Sequence, residues 1–121
     1  MAPGSRPPAA YTPPTMDLPV EVTPEEAHAA LTGAGAALLI DVREPWEWRD
    51  RRIPGALLIP LLELPARLGE LPVDADVYVH CRVGRRSRRA VEFLRRSGRP
   101  RASSVAGGIV AWEQAGLPVT G

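Results

Sequence analysis

The sequence predicts an α/β fold in which helices cover both faces of a mainly parallel sheet. Short apolar runs of strand length alternate along the chain with segments of helical spacing, which is typical of parallel sheets. The strand-like runs are continuously apolar, as expected for strands that are buried on both faces. With 121 residues, of which 45% are hydrophobic and 24% charged, the chain is long enough to bury one core.

The first predicted elements follow a proline-rich start. Residues 1–17 have no hydrophobic period, so we expect a disordered or polyproline-like tail before a domain that covers residues 18–121. The segment Thr23–Glu26 supplies an N-cap, a first-turn proline and a capping-box glutamate. It predicts a first helix that runs to about Leu31, where two nearby glycines end it.

Strands and helices are then expected in alternation. Apolar runs predict strands over residues 37–42, 56–59 and 76–80, with a short fourth over 103–105. Leucines at helical spacing follow the second run, and two further helices are predicted, over residues 86–96 and around Ile109–Trp112. The tryptophans are expected to be packing residues: Trp46, Trp48 and Trp112.

The small number of cysteine and histidine side chains excludes several classes of protein. One cysteine cannot form an internal disulfide, and together with two histidines it provides too few ligands for a closed zinc site. No apolar run approaches the roughly 20 residues that span a bilayer, and the first residues lack the apolar region of a signal peptide. We therefore expect a soluble, cytoplasmic domain with no metal or other cofactor and no membrane association.

The net charge of +1 conceals a division of charge along the chain. Residues 1–81 carry six arginines and twelve acidic residues, whereas residues 82–121 carry nine arginines and two glutamates. The absence of lysine indicates a GC-rich genome, which we expect to be bacterial. Codon usage does not explain why the arginines cluster directly after Cys81.

The segment Val77–Ser87 contains the candidate chemistry. A buried strand ends, Cys81 follows, and a loop with one glycine leads into a helix. The helix N-terminus and three nearby arginines both favour a thiolate, and Gly84 permits a positive φ that turns loop N–H groups inward. A lone cysteine is most often a small buried hydrophobe. This context instead favours a reactive thiolate in a small anion-binding loop.

Other polar residues around this segment are expected to have structural roles. His80 precedes the cysteine in the strand, so its side chain should point to the opposite face of the sheet. Arg88 and Arg96 can each pair with Glu92 at i,i+4 spacing. We expect surface charge from these two arginines and from the others that lie outside the loop: Arg89, Arg95, Arg99 and Arg101.

Several motifs, in order, resemble those of the single-domain rhodanese-homology family, over about residues 18–121. They are LIDVREPWEW at 39–48, IPGA at 53–56, CRVGRRS at 81–87, GGIVAW at 107–112 and GLPV at 116–119. One departure precedes the IPGA turn, where Arg51-Arg52 replaces the usual Gly-His. We expect that departure to change only the local turn.

The resemblance implies a three-layer α/β/α fold with about five strands, and it implies sulfur transfer. A donor such as thiosulfate would give a persulfide on Cys81, which then passes its outer sulfur to a thiophilic acceptor. Asp41 and Arg43, from the first motif, are expected to support the site, and Arg86 is expected to pair with Asp41. The resemblance assigns substrate binding to the loop residues Arg82, Val83, Gly84, Arg85 and Arg86.

Alternative functions stay open at this point. The partners implied are small sulfur-containing anions, and the same chemistry would serve a persulfide carrier that exchanges sulfur with protein donors or acceptors. A third reading is a binding module without catalysis. Cysteine phosphatases and arsenate reductases of this fold have five residues between cysteine and arginine, whereas here Arg86 comes one position early. Nucleic-acid binding is not expected, because no aromatic residue except Phe93 lies among the clustered arginines.

Overall fold

The computed structural model describes residues 19–121, so the predicted tail lies outside the described residues. Capping starts the first helix as predicted. The Thr23 hydroxyl accepts from the backbone N–H of Glu26 at 3.1 Å, and the Glu26 carboxylate accepts from the N–H of Thr23 at 2.8 Å. The elements in chain order are β1 (Glu21–Val22), α1 (Pro24–Thr32), β2 (Ala37–Asp41), α2 (Pro45–Asp50), β3 (Leu57–Leu58), two short 3-10 helices (Leu61–Glu63 and Pro65–Glu70), β4 (Asp76–His80), α3 (Arg85–Arg96), β5 (Ala102–Val105) and α4 (Gly108–Gln114).

The five strands form one parallel sheet in the order β1-β5-β4-β2-β3. Strand β4 lies in the middle, with β2 and β5 as its neighbours, and the register places Asp41 directly beside His80. Both residues end their strands at the carboxyl edge of the sheet. In open α/β sheets this edge is where ligands bind.

Two apolar clusters cover the two faces of the sheet, which confirms the three-layer architecture. Val77, Val79 and Cys81 pack with α3 and the 3-10 helices on one face. Tyr78 packs with α1 and α4 on the other. The alternation within β4 therefore places Cys81 on the α3 side and leaves His80 pointing away from it, as the strand pattern predicted.

The structure contains two elements that periodicity did not reveal. Strand β1 has two residues, too short for any pattern, and it forms because the N–H groups of Ser104 and Ala106 on the β5 side donate to the carbonyls of Val20 and Val22. Helix α2 has six residues and begins at a proline. It buries Glu47 and leaves Trp46 65% exposed, so the expectation that Trp46 packs in the core was wrong.

The other two tryptophans differ in their burial, and one of them lies beside the Arg51-Arg52 pair. Trp112 is buried, as predicted, whereas Trp48 is half-buried and lies 5.4 Å from the guanidinium of Arg52. Arg52 also forms an antiparallel bridge with Thr120, with N–H to carbonyl distances of 2.7 and 2.8 Å. The Arg51-Arg52 segment thus ties α2 to the last residues of the chain. Within residues 19–121, no helix is both long enough and apolar enough to cross a membrane.

Helix α4 starts against the carboxyl end of β4. The N–H groups of Ile109 and Val110 donate to the carbonyls of Cys81 and Arg82 at 2.9 and 3.2 Å. Gly108 makes this approach possible, because its φ is +61° and a Cβ there would overlap both carbonyl oxygens. Helix α4 therefore holds the backbone directly after the cysteine side chain, at the carbonyls of Cys81 and Arg82.

Replacing this glycine should be costly for a steric reason. We expect Gly108→Ala to lower the free energy of unfolding by about 3 kcal/mol or more, because strain at positive φ adds to overlap with two buried carbonyls. Gly116→Ala is the matched control, since Gly116 has φ +78° but no heavy atom near the position of a Cβ. Urea denaturation of both variants measures the difference; equal losses would contradict the steric account.

Candidate active site

Cys81 lies at the base of a pocket between the end of β4 and the start of α3. Its side chain is 1% exposed. The pocket has a volume of about 310 Å³ and is lined by Cys81, Val83, Arg85, Arg86 and Arg89. The position of the cysteine, at the carboxyl edge of the sheet beside a helix N-terminus, is the one that the sequence predicted.

Backbone N–H groups of the loop point at the cysteine sulfur. Sγ accepts from the N–H of Gly84 at 3.1 Å and from that of Ser87 at 3.4 Å. Gly84 has φ +107°, and this left-handed conformation is what curls the loop toward the sulfur. The loop therefore forms the inward-facing set of donors that the single glycine predicted, and such a set stabilises negative charge on sulfur.

Ser87 is a site residue to which the sequence assigned no role. Its side chain is fully buried, and its hydroxyl oxygen lies 3.5 Å from Sγ, 3.1 Å from the carbonyl of Gly84 and 2.7 Å from the hydroxyl of Ser104. Ser104 is on β5, so the two hydroxyls connect the sulfur with the neighbouring strand. Ser87 is the last residue of the CRVGRRS motif, but its proximity to Ser104 follows only from the strand order.

Arg86 pairs with Glu47, not with Asp41 as predicted. Its guanidinium donates to both carboxylate oxygens of Glu47 at 2.7 and 2.9 Å. This pair lowers the pKa of Glu47 below its usual range, although burial opposes the effect, and raises the pKa of Arg86. The sequence missed Glu47 because helix α2, which carries it, shows no periodicity; its only signal was its place in the first motif.

Asp41 is instead saturated by its near neighbour Arg43. The Arg43 side chain donates to the two Asp41 oxygens at 2.8 to 3.1 Å, and its backbone N–H donates at 2.9 Å. The guanidinium also reaches the carbonyl of Arg51 at 2.7 Å. Both side chains are buried, so this pair fixes α2 and the following turn and does not line the pocket of Cys81.

His80 is fully buried behind the cysteine. Its Nδ1 lies 3.2 Å from the carbonyl oxygen of Cys81, and its Nε2 lies 3.5 Å from a carboxylate oxygen of Asp41. Burial lowers the pKa of His80, against the opposing effect of Asp41. Because a carbonyl only accepts, the neutral ring donates from Nδ1, which leaves Nε2 without a hydrogen-bond partner.

The other arginines near Cys81 differ in their surroundings. Arg85 and Arg89 line the pocket, and Arg82 lines an adjoining crevice of about 90 Å³ that also contains Arg43, Trp46, Glu47, Asp50 and Arg51. Arg88 was expected to pair with Glu92, but its guanidinium lies 4.0 Å from the carboxylate of Glu21 instead. Arg89 follows Arg85 and Arg86 by four and three positions, so helical spacing alone could have placed it on the same face.

Three arginines that the sequence assigned to the surface have partners within the protein instead, and for two of them the partners are backbone carbonyls. Arg95 donates to the carbonyl of Ala102 at 2.7 and 2.9 Å. Arg99 donates to the carbonyls of Leu71 and Leu68 at 3.0 and 3.1 Å. Arg101 binds Asp76 at 2.5 Å. Among residues 19–121, no cluster of three or more histidine, cysteine or acidic side chains could hold a metal ion.

Comparison with known proteins gives consistent matches. The model of the rhodanese-like domain matches residues 23–115. A sulfurtransferase from Allochromatium vinosum is 38% identical over 99 residues, which cover 82% of this chain and 92% of that protein. The crystal structure of a rhodanese-related protein from Thermoplasma volcanium superposes with a TM-score of 0.75 at 33% identity, covering 83% of this chain and 96% of that one.

A longer protein matches over part of its length. The crystal structure of thiosulfate sulfurtransferase from Pseudomonas aeruginosa has a TM-score of 0.76 at 28% identity. The match covers 87% of this chain but 20% of that protein. This chain thus corresponds in size to the single-domain relatives and to a fraction of the larger one.

The buried imidazole should make stability depend on pH. Because the pKa of His80 is lowered in the folded state, its imidazole binds a proton more readily in the unfolded chain. The contribution of His80 to the free energy of unfolding is therefore fully present above pH 6.5 and is lost as the pH falls below that value. We expect the free energy of unfolding to fall between pH 7 and 5 by up to about 1.4 kcal/mol per pH unit. His80→Asn keeps a donor for the carbonyl of Cys81 and should flatten this slope. Urea titrations of the native chain and of this variant at several pH values measure the slope, and an unchanged slope in His80→Asn would refute the assignment.

The Arg86–Glu47 pair should couple the loop to α2. A double-mutant cycle with Arg86→Gln and Glu47→Gln is expected to give a coupling of about 1–2 kcal/mol at neutral pH, because Glu47 is buried and the contact is bidentate. The coupling should decline as the pH falls below 4.5, where the unfolded carboxyl takes up a proton. The exposed Arg67–Glu70 pair serves as the comparison and should give a smaller value. Equal coupling in both pairs would contradict this assignment.

Proposed function

The chain belongs to the rhodanese-like domain family, and on that premise we propose that it is a sulfurtransferase that carries sulfane sulfur on Cys81. The proposed donor is thiosulfate or a similar small anion, and the acceptor is a thiol or another thiophile. A protein with a free cysteine as its working group fits a compartment that keeps thiols reduced, so we assign the reaction to the cytoplasm.

One observation supports this proposal most directly. The sulfur of Cys81 is buried at the base of an arginine-lined pocket and accepts hydrogen bonds from two backbone N–H groups. These dipoles stabilise a thiolate, and the arginines attract an anionic donor. A buried cysteine with only a packing role would not need either feature.

In the first half of the proposed reaction, the thiolate displaces sulfite. The Cys81 sulfur attacks the outer sulfur of thiosulfate, an S–S bond to the cysteine forms, and the S–S bond of thiosulfate breaks with its electron pair leaving on sulfite. The product on the protein is an anionic persulfide. The N–H groups of Arg85 and Arg86 lie in the first turn of α3, where helical N–H groups have no intrahelical acceptor. They are available to the outer sulfur.

In the second half, an external acceptor takes this sulfur. A thiolate or cyanide attacks the outer sulfur, and the electron pair of the broken S–S bond returns to the Cys81 sulfur as a thiolate. The chain has one cysteine, so no internal thiol can resolve the persulfide. Donor and acceptor therefore use the same pocket in turn, which implies ping-pong kinetics.

The competing phosphatase chemistry fits the site less well. A phosphatase of this fold needs an arginine free to bind phosphate above the thiolate, and Arg86 is the arginine nearest the required position. Its guanidinium is engaged by Glu47 in a bidentate contact. The loop between Cys81 and Arg86 is also one residue short, so the ring of N–H groups is suited to a single sulfur.

The persulfide can be detected directly. After incubation with thiosulfate, the intact mass should increase by one sulfur atom, and the increase should disappear when cyanide is added. Cys81→Ser removes the nucleophile and should abolish both the mass gain and thiocyanate formation. The matched control is Ser104→Ala, which leaves the sulfur in place and should still gain mass. An unchanged mass in the native chain, or turnover of an aryl phosphate without reaction with thiosulfate, would overturn the proposal.

A further inference from the structure

Unpaired arginines are concentrated around the mouth of the Cys81 pocket. Among the described residues, five arginines have no carboxylate or carbonyl partner, namely Arg49, Arg82, Arg85, Arg89 and Arg96. Three of these five line the pocket or the adjoining crevice. Most of the other described arginines are engaged, as in the pairs of Arg51 with Glu113 and Arg101 with Asp76. The free positive charge therefore faces whatever approaches the sulfur.

Two exposed apolar side chains lie in the same region. Trp46 is 65% exposed and lines the crevice beside Arg82, and Val83 is 48% exposed and lines the pocket. Exposed aromatic and apolar residues next to arginines are characteristic of protein-binding surfaces. Two acidic side chains line the crevice, Glu47 and Asp50. Glu47 is paired with Arg86, whereas Asp50 has no basic partner in the described part of the chain. The surface is thus apolar at two points and positive overall.

The two concavities together exceed what a small anion requires. Thiosulfate at the sulfur would occupy part of the 310 Å³ pocket and would leave the crevice of Arg82 and Trp46 empty. Cys81 is 1% exposed, so a flat protein surface cannot reach its sulfur. A partner must bring its own sulfur on a narrow, extended segment while the rest of that segment contacts the rim.

We propose that Trp46, Arg82, Val83, Arg85 and Arg89 form a docking rim for an acidic polypeptide segment whose cysteine thiol accepts sulfur from Cys81. The inference rests on the proposed persulfide, which it extends by naming the class of acceptor. Carboxylates of the segment pair with the three arginines, and an apolar side chain beside its cysteine contacts Trp46. The attacking thiolate takes the outer sulfur and becomes a persulfide, and the Cys81 thiolate is released.

Short synthetic peptides provide the test. Each has one central cysteine, flanked by glutamates, by glutamines or by lysines, and the second-order rate of sulfur loss from persulfide-loaded protein is followed by intact mass. Each rate is divided by that peptide's rate with a small neutral disulfide, which corrects for differences in thiol reactivity. At low ionic strength we expect the glutamate peptide to react at least about 10-fold faster than the glutamine peptide, with the advantage shrinking as salt is added.

Variants of the rim then locate the effect. The double variant Arg82→Gln/Arg89→Gln should reduce the advantage of the glutamate peptide to less than about 3-fold, since two of three attracting charges are lost. Trp46→Ala should lower the ratio of peptide to cyanide rate constants. Arg88→Gln is the matched control, because Arg88 follows the loop on the same helix but faces Glu21. It should leave every ratio unchanged.

The possible failures are distinguishable. If no persulfide forms with thiosulfate, the proposed function and this inference both fail. If the persulfide forms and cyanide removes it, but the glutamate peptide has no advantage over the glutamine peptide, only the docking rim is refuted. If an oligothymidylate blocks peptide transfer at lower concentration than a cysteine-free glutamate peptide does, the rim binds nucleic acid and the proposal is overturned.

Discussion

The hydrogen bonds from backbone N–H groups to a buried cysteine sulfur organise the rest of this structure. If a buried sulfur is to carry negative charge, as in the function proposed above, it needs donors at fixed positions, because an unsatisfied buried charge is very costly. Here the donors belong to Gly84 and Ser87, and they reach the sulfur because the loop turns through a left-handed glycine. Two other sets of contacts hold that loop in place. N–H groups of α4 donate to the carbonyls of Cys81 and Arg82, and the hydroxyls of Ser104 and Ser87 are hydrogen-bonded to each other.

The arginines that follow the cysteine divide into separate tasks. Arg86 is committed to Glu47, so it connects the loop with α2 and contributes little free charge to the pocket. Arg95 and Arg99 bind backbone carbonyls and so fix the segments that lead into and out of the sheet. Only those without partners remain to act on molecules outside the protein. An arginine that has a partner within the protein thus stabilises the fold, whereas an arginine without one is free to contact other molecules.

Much of the fold and the centre of the site could be predicted from the sequence, for identifiable reasons. Strands β2 and β4, the long helix and the position of Cys81 have strong local signals, because continuous apolar runs and a strand–loop–helix junction leave few alternatives. Strand β1 and helix α2 have no such signal; one is two residues long and exists only through its pairing with β5. Asp41 was predicted as the partner of Arg86 because it ends the neighbouring strand, but which side chains meet depends on α2, and Arg43 is closer to Asp41 along the chain. Ser104 could not have been found, because its proximity to the sulfur depends on strand order alone.

The hold of α4 on the backbone of Cys81 has a consequence for the energetics of turnover. A loop fixed by hydrogen bonds to the carbonyls of Cys81 and Arg82, and by a glycine that tolerates no side chain, has little freedom to adjust its backbone. In the persulfide exchange proposed above, little reorganisation free energy would be spent as charge moves between the inner and the outer sulfur, since loop N–H groups already point at the Cys81 sulfur. A rigid frame of this kind would suit the proposed transfer as a reversible exchange, in which the concentrations of donor and acceptor set the direction of sulfur flow.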